Sequence, residues 1–234
     1  MQQYFAKNEN LELEKSDYHH IKNVMRMKNG DTIKIIYNNI CYTCTLTSVS
    51  NDVEFIIKEK QTSKNNHPYV DVAFSLIKEQ KLDFLLQKTA EVGVNCLIPL
   101  ETKRSVVKID KKKEKLKKER WKKILKEASE QSFRLDIPTI EHIMTLNELV
   151  SKDYDLKLLC SLNKNTKNIK KVLQKNNKCD KILLVVGPEG GFEASEEDFL
   201  IKNGFVSISL GNNVLRAETA PVVALSMINY ELGR

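Results

Sequence analysis

The chain has 234 residues, of which 41% are hydrophobic and 29% are charged, which is the balance of an ordinary globular protein rather than of a disordered polymer. No stretch approaches the roughly 20 uninterrupted apolar residues of a membrane helix, and Met1–Tyr4 begins no signal peptide, so we expect a cytoplasmic protein with no membrane association. The net charge of +7 is compatible with a polyanionic binding partner. The five cysteines are odd in number and scattered, which argues against a disulfide framework.

The first seventy residues have a β-rich pattern. Apolar residues at helical spacing predict one helix over Asp17–Met27, with Ser16 or Asp17 as its N-cap. Segments rich in β-branched and aromatic residues then predict three strands, Thr32–Tyr37, Ile40–Val49 and Val53–Lys58. The turn signals between these strands are closely spaced, the last of them at Ser50–Asp52. The pattern therefore indicates a small antiparallel barrel or sheet.

Cys41 and Cys44 have the C-x-x-C spacing of some metal and redox sites. A zinc site of that kind needs a second ligand pair, and no second C-x-x-C or H-x₃₋₅-H follows. The two cysteines also lie in a predicted strand, where positions i and i+3 point to opposite faces. We expect all five cysteines of the chain, Cys41, Cys44, Cys96, Cys160 and Cys179, to be buried thiols, and we expect no metal site.

Gln61–Pro68 is the best candidate for a linker because Pro68 is its only apolar residue. A boundary near Tyr69 divides the chain into a domain over residues 1–69 and a second over residues 70–234. In the second domain, the sequence predicts strands over Val70–Leu76, Asn95–Leu100, Leu156–Leu162, Lys181–Val186 and Phe205–Leu210. Helical patterns alternate with these strands, which predicts an α/β fold with a mainly parallel sheet covered on both faces.

Two helices of this region have clear signals. Leu82, Leu85, Leu86, Thr89 and Ala90 recur at helical spacing, and Gly93 can end that helix. A longer helix around Trp121–Ala128 should stop before Pro138, because the residue preceding proline disfavours helix.

The positive charge is concentrated between Lys103 and Lys126. This segment holds thirteen basic residues and three acidic ones, a net charge of +10, which leaves −3 for the rest of the chain. A basic stripe on a mildly acidic body is expected of a polyanion binder. A solvated, lysine-rich helix face is the alternative interpretation.

Two loops that follow predicted strands are unusual. Gly187–Phe192 has three glycines in five positions, yet it is neither a P-loop nor a G-x-G-x-x-G motif. A helix should begin near Ser195, with Asp198 three residues later. The second loop, Leu210–Pro221, precedes the nearly all-apolar helix Val222–Ile228, which must be buried in the core or in a subunit interface.

Ligands of parallel sheets bind at the carboxyl ends of the strands, where these two loops should lie. Each loop alone fits a structural turn, and Arg216 with Glu218 could form a local ion pair.

Taken together, the sequences of the two loops resemble those of a known protein family. Gly187–Phe192, followed by Leu210–Gly211 and Leu215–Pro221, resembles the RsmE family of SPOUT-superfamily RNA methyltransferases. Further matching stretches are His19–Met27 with Gly30-Asp31, Gln87–Val94, Ile98–Leu100 with Arg104–Val106, and Trp121 with Glu127–Ser132. The resemblance covers essentially the whole chain.

The resemblance implies an enzyme that transfers a methyl group from S-adenosyl-L-methionine to N3 of a uridine in 16S rRNA of the small ribosomal subunit. It also implies a homodimer, a small N-terminal PUA-like β-barrel that binds RNA, and a C-terminal SPOUT-type parallel sheet tied in a deep trefoil knot. By family analogy the cofactor should contact residues of the knot loops, namely Leu162, Gly187, Gly190, Leu210, Gly211, Leu215, Thr219 and Ala220.

N3 of uracil must lose its proton before it can attack a methyl group. Glu189 and Glu218 are the carboxylates available in the loops, and Arg216 could stabilise charge on a uracil oxygen. We favour Glu189 as the residue nearest the uracil, although either glutamate could instead bind loop N–H groups.

RNA phosphates should be bound by basic residues of both domains, namely Lys22, Arg26, Lys103, Arg104 and Arg134. The family usually has an arginine where this chain has Gln3, so one basic contact is expected to be absent.

Two alternatives stay open. Another SPOUT enzyme that methylates a ribose or a transfer RNA would use the same cofactor pocket. A non-catalytic ribosome-assembly factor would keep the basic stripe but would need no pair of glycine loops. The target nucleotide, the choice between free RNA and assembled subunit, and the dimer geometry do not follow from the residues.

Overall fold

The computed structural model describes residues 1–50, 53–62, 68–163 and 165–233. Part of the predicted turn at Ser50–Asp52 and most of the predicted linker Gln61–Pro68 lie outside these residues. The chain forms two compact units, a first one of Met1–Asn65 with Lys126–Ile137 and a second one of Asn66–Leu125 with Pro138–Arg234. The domain division after residue 69 stays a prediction, and the first compact unit adds Lys126–Ile137 to the N-terminal residues.

The first unit is built on a four-stranded sheet in the order β1-β2-β3-β4. Its strands are β1 (Gln2–Phe5), β2 (Thr32–Tyr37), β3 (Ile40–Ser48) and β4 (Glu54–Thr62). β2 to β4 are antiparallel, as predicted, whereas β1 pairs in parallel with β2 and has no counterpart among the predicted strands. Asn38 and Asn39 join β2 to β3 with φ angles of 47° and 60°, the left-handed pair that tight hairpins use.

The predicted helix over Asp17–Met27 is wrong in its bounds and its cap. The structure has α1 (Lys15–His19) followed by a π-helical turn over His20–Val24. Glu14 is the N-cap, in a capping box with Asp17. Ile21 is buried, but Val24 and Met25 are 58% and 39% exposed, so only one of the three apolar residues at helical spacing is buried.

Both cysteines of the C-x-x-C segment are buried free thiols. Cys44 belongs to the apolar cluster of the first unit, and Cys41 is buried outside that cluster. Burial raises the pKa of the Cys44 thiol to about 11, so it is neutral at physiological pH. Cys96, Cys160 and Cys179 are only partly buried, less than we expected.

The helix α3 (Lys111–Gln131) ends earlier than the predicted stop before Pro138. Phe133 adopts a left-handed φ of 57°, and the N–H of Arg134 donates to the carbonyl of Ser129 at 3.0 Å. This is a Schellman end, which normally places glycine where Phe133 stands. The turn after the helix, rather than the proline, terminates it.

The second unit contains a seven-stranded parallel sheet in the order β7-β6-β5-β10-β8-β11-β9. Its strands are β5 (Tyr69–Ser75), β6 (Cys96–Leu100), β7 (Thr139–Ile140), β8 (Leu156–Cys160), β9 (Lys167–Asn168), β10 (Lys181–Val186) and β11 (Val206–Ser209). It contains the part of α3 up to Leu125, and its complete helices are α2 (Glu79–Glu91), α4 (Leu146–Val150), α5 (Ile169–Lys175), α6 (Ala194–Lys202) and α7 (Ala220–Leu232). The α/β fold with a parallel sheet is confirmed.

The buried face predicted for α2 and its predicted end at Gly93 are confirmed. Its buried residues are the five that were predicted, and Gly93 after it has a φ of 97°. The helix α6 begins at Ala194, near the predicted Ser195, but its N-cap is Glu193, which forms a capping box with Glu196. Acidic side chains of α2 neutralise part of the basic stripe on α3, since Glu79 pairs with Lys117 at 2.8 Å.

The centre of the second unit is an apolar cluster that includes residues of β5, β6, β8 and β10. Its buried members are Ala73, Ile98, Leu100, Met144, Leu149, Leu159, Leu183, Val185, Phe192, Leu200 and Phe205. Within the described residues, no helix is both long enough and apolar enough to cross a bilayer.

Candidate functional site

A cavity of about 500 Å³ opens at the carboxyl ends of three neighbouring strands, β8, β10 and β11. Most of its lining comes from the loops that follow them: Cys160–Asn163 after β8, Val186–Phe192 after β10, and Ile208–Gly211 with Asn213–Ala217 around the end of β11. Parallel strands end at the same edge of a sheet, which brings loops distant in sequence together. The volume is within the range of cofactor and substrate sites.

The loop after β10 turns sharply over Pro188–Gly191. The N–H of Gly191 donates to the carbonyl of Pro188 at 2.8 Å, and Gly191 has a left-handed φ of 66°. Gly187 is required for a different reason, because a Cβ there would lie 3.0 Å from the ring of Phe192. Phe192 is itself a member of the apolar cluster, so packing fixes where this loop begins and ends.

Charged and polar side chains hold the same loop from outside. Arg104 Nη1 donates to the carbonyl oxygen of Gly190 at 2.8 Å. Lys103 Nζ pairs with Glu193 Oε2 at 2.9 Å, and the Lys103 backbone N–H donates to Glu196 Oε1 at 2.9 Å. The segment that follows β6 is thereby attached to the start of α6.

Glu189 is exposed at the cavity and forms an ion pair with Lys81 of α2, with 3.0 Å between Oε1 and Nζ. Partial burial acts to raise the pKa of Glu189, but a hydrogen bond from its own backbone and the charges of Lys81 and Lys78 outweigh it. The pKa of Glu189 is therefore held below its ordinary value. Glu189 is a carboxylate at neutral pH.

The loop after β11 is held by fewer side chains. Gly211 has a φ of 136° with open space around the position of a Cβ, and the Gly211 N–H donates to Ser209 Oγ at 3.3 Å. Gly211 to Val214 are exposed, and the side chain of Val214 is 72% exposed. This part of the cavity wall faces solvent.

Seven of the eight predicted cofactor residues line the cavity. They are Leu162, Gly187, Gly190, Leu210, Gly211, Leu215 and Ala220. Thr219 does not line it and stands directly before the first residue of α7. Leu162 is 74% exposed, so its side chain offers an uncovered apolar surface at the cavity.

The three predicted catalytic residues have different positions. Glu189 and Arg216 line the cavity, and both are exposed. Glu218 is only 7% exposed and is absent from the lining, and its Oε2 has no hydrogen-bond partner in the described part of the chain. Of the three predicted catalytic residues, the structure therefore brings Glu189 and Arg216, but not Glu218, to the cavity.

The predicted RNA-binding residues are divided between the two units. In the first unit, Lys22 Nζ donates to the carbonyl of Ser50 at 2.8 Å, and Arg26 is exposed with a left-handed φ of 51°. Arg134 pairs with Asp136 at 2.8 Å. In the second unit, Lys103 is exposed and paired with Glu193, as described above, and Arg104 lines the cavity.

Gln3, which stands where an arginine was expected, is a buried structural residue. It is 3% exposed, and its Nε2 donates to the carbonyl of Arg134 at 2.6 Å. The side chain of Gln3 is therefore not available to contact RNA.

Several polar and charged lining residues were not predicted as site residues, among them Ser161, Asn163, Lys81 and Glu197. Ser161 and Asn163 flank Leu162 directly after β8, so the end of that strand could have indicated them. Lys81 and Glu197 lie on α2 and α6, and only the tertiary fold brings them to the cavity. No group of three or more His, Cys, Asp or Glu side chains in the described parts of the chain is arranged to hold a metal ion.

Two family models match the chain. The one described as an RNA methyltransferase domain matches residues 64–229, and the one described as an RNA methyltransferase PUA domain matches residues 13–58. The first match includes every residue that lines the cavity.

Named relatives agree with these matches over the full length of the chain. Ribosomal RNA small subunit methyltransferase E of Bacillus subtilis (strain 168) is 35% identical, and the alignment covers 99% of this chain and 97% of the relative. The protein of the same name from Mesomycoplasma hyopneumoniae (strain 232) is 35% identical over 88% of each chain.

Among solved structures, a ribosomal RNA small subunit methyltransferase E from Neisseria gonorrhoeae, bound to S-adenosyl methionine, superimposes with a TM-score of 0.87. It is 27% identical, and the match covers 98% of this chain and 97% of that one.

Proposed function

We infer the function from the family, because the chain belongs to the ribosomal RNA small subunit methyltransferase E family. We propose that it is an enzyme that transfers a methyl group from S-adenosyl-L-methionine to N3 of a uridine in 16S rRNA. The observation that carries the proposal is the cavity at the ends of β8, β10 and β11, which lies within the part of the chain that matches the RNA methyltransferase domain.

The residues of the cavity fit this cofactor. A cavity of about 500 Å³ can enclose a nucleoside with an amino-acid side arm. Gly191 and Gly211 leave open space where side chains would otherwise stand, so that a ligand can approach the backbone. S-adenosyl-L-methionine carries a positive sulfonium group and, when bound, supplies an electrophilic methyl group.

We propose that Leu162, Gly187, Gly190, Leu210, Gly211, Leu215 and Ala220 contact the cofactor, because all of them line the cavity. Thr219 does not line the cavity, and it would influence cofactor binding only by positioning its neighbour Ala220 as the N-cap residue of α7. The deep trefoil knot expected for this loop region stays a prediction.

Glu189 is our candidate for the acceptor of the N3 proton. Its exposed position lets a bound uracil approach it and lets it return the proton to solvent. A carboxylate with a lowered pKa is a weak base, so the charge left on uracil must be stabilised as the proton departs. Lys81 and Arg216 line the same cavity and can place positive charge near a uracil oxygen.

We assign Glu218 a supporting role rather than contact with the base. It is buried and does not line the cavity, but the residues Ala217 and Ala220 on either side of its turn do. Glu218 lies within the turn that follows Arg216, in which the carbonyl of Arg216 accepts from the N–H of Thr219 at 2.9 Å.

RNA would be held by the basic residues of each unit. Arg26 in the first unit and Arg104 in the second are exposed, and a PUA domain accompanies the RNA methyltransferase domain in this chain. Lys22, Lys103 and Arg134 already bind protein oxygens, so they would contribute to RNA binding by sharing or exchanging those partners.

We further propose that two copies of the chain form a homodimer through α7. Of its thirteen residues only Glu231 is charged, yet Tyr230 is 89% exposed and Val222, Val223 and Met227 are only half-buried. A helix that is apolar on most sides normally has a second covering surface. Light scattering coupled to size-exclusion chromatography tests this: the chain should elute at twice its mass, and Tyr230→Asp should give the monomer.

Methylation of isolated subunits tests the proposed function. Small ribosomal subunits from cells lacking the gene should gain labelled methyl groups from S-adenosyl-L-methionine when the purified chain is added. Nuclease digestion and mass spectrometry should identify N3-methyluridine. A ribose-methylated product, or methylation of transfer RNA alone, would select the other enzymatic alternative.

Calorimetry excludes or supports the non-catalytic alternative, because an assembly factor has no need to bind the cofactor. Absence of heat at millimolar S-adenosyl-L-methionine would favour that alternative over an enzyme. The proposed cytoplasmic location follows from the proposed substrate, since small ribosomal subunits occur there.

A further inference from the structure

Glu197 is a buried carboxylate at the cavity that none of the proposed catalytic or cofactor-binding roles uses. It stands in the first turn of α6, is 9% exposed and lines the cavity. A carboxylate in such a position must be stabilised by hydrogen bonds or by positive charge.

The hydrogen bonds that Glu197 receives come from neutral donors. Ser161 Oγ lies 3.1 Å from both of its carboxylate oxygens, and Asn163 Nδ2 donates to Oε2. Ser161 and Asn163 themselves line the cavity after β8. The bonds satisfy the carboxylate oxygens but leave the negative charge in place.

No cationic side chain in the described residues lies within ion-pair distance of Glu197. The hydrogen bond from Ser161 and the positive charge of Arg104 lower the pKa of Glu197, whereas the negative charge of Asp198 raises it. Arg104 is exposed and donates to the carbonyl of Gly190, and Lys81, the lysine of the cavity, is paired with Glu189. Burial, the largest influence, raises the pKa of Glu197 above its ordinary value.

We propose that Glu197 supplies the negative charge that makes the cavity prefer a positively charged methyl donor to its neutral demethylated product. This rests on the proposed function. S-adenosyl-L-methionine has a sulfonium cation, whereas S-adenosyl-L-homocysteine lacks the transferred methyl group and has an uncharged thioether in its place. A buried carboxylate that pairs with no cationic side chain of the described residues attracts the sulfonium more strongly than it attracts the thioether, and this difference favours release of the product after transfer.

Calorimetric titration of the full chain with three ligands tests the proposal. The ligands are S-adenosyl-L-methionine, S-adenosyl-L-homocysteine, and sinefungin, which carries an ammonium group near the position of the sulfonium. In Glu197→Gln, the affinity for the two charged ligands should fall about tenfold. The affinity for S-adenosyl-L-homocysteine should change less than about twofold, and this retained affinity also shows that the variant is folded.

Two matched variants separate charge from structure. Asp198→Asn removes the same charge from the exposed side of α6 and should leave all three affinities unchanged. Asn163→Ala removes a hydrogen bond but keeps the charge, so all three affinities should change together. Equal losses for charged and uncharged ligands in Glu197→Gln would overturn the proposal and assign Glu197 a structural role. Failure of the unaltered chain to bind any of the three ligands would instead contradict the proposed function.

Discussion

The loop after β10 and the loop after β11 form walls of the same cavity, but they are held in different ways. Lys81, Arg104 and the packing of Phe192 fix the first loop, and Lys103 secures the start of the helix that follows. The second loop is exposed over Gly211–Val214, and Ser209 Oγ forms hydrogen bonds with the backbone N–H and carbonyl of Gly211. We call the first loop the rigid wall of the cavity, because side chains outside it hold it, and the second loop the open wall, because it is exposed.

The largest expected effect tests whether the rigid wall carries the chemistry. Glu189→Gln should lower turnover by about 100-fold or more, because it removes the proton acceptor while keeping its shape. Cofactor affinity should change little. Single-turnover methylation with saturating subunits measures the effect, and full activity would remove Glu189 from the mechanism.

The second prediction compares two glycines of the rigid wall. Gly187→Ala should destabilise the fold by about 1–3 kcal/mol, because its Cβ would approach Phe192 to 3.0 Å. Gly190→Ala should change stability by less than about 0.5 kcal/mol, since its nearest neighbour, Arg104 Cδ, would lie at 3.6 Å. Thermal denaturation measures both, and equal losses would show that packing at Gly187 does not fix the loop.

The third prediction concerns the pH dependence of the rigid wall. The Lys81 ion pair helps to hold the pKa of Glu189 low, so Lys81→Met should raise that pKa. The carboxylate is then lost at a higher pH as the solution is acidified, and the acid limb of the kcat/KM profile should move to higher pH.

Lys117→Met is the matched control for Lys81→Met, because Lys117 forms an exposed ion pair with Glu79 of the same helix, α2. It should leave the acid limb unmoved. An unchanged limb in Lys81→Met itself would mean that another group titrates there.

The smallest effect is expected in the open wall. Val214→Ser should change the free energy of unfolding by less than about 0.5 kcal/mol, because the side chain is 72% exposed. Chemical denaturation measures it. A loss above about 1 kcal/mol would show that the two walls are equally fixed.

Much of the second unit could be predicted from the sequence because its signals are local. The buried face of α2 follows helical spacing, and the apolar run Ile182–Val186 identifies a central strand. The two loops could be predicted to lie close together because each follows a strand of a parallel sheet, and the loops after parallel strands lie at one edge of the sheet.

Features that depend on tertiary structure could not be predicted. Lys81 and Glu197 reach the cavity from helices separated by more than a hundred residues, and neither has a local motif. The π-helical turn at His20–Val24 and the left-handed Phe133 contradict local preferences, because surrounding structure overrides them. β1 has four residues and is defined only by its pairing with β2.

The pairing of β5 with β10 has a consequence for the speed and safety of folding. β5 ends at Ser75, and β10 begins at Lys181, roughly a hundred residues later. At about 5–20 residues per second, a ribosome needs about 5–20 s to synthesise the partner strand. During this time the edge of β5 that later pairs with β10 stays open to other nascent chains.

The first unit differs, because β2 and β3 are joined by only Asn38 and Asn39 and can pair within microseconds of emerging from the ribosome. We therefore expect the second unit to fold more slowly than the first and to be more exposed to aggregation.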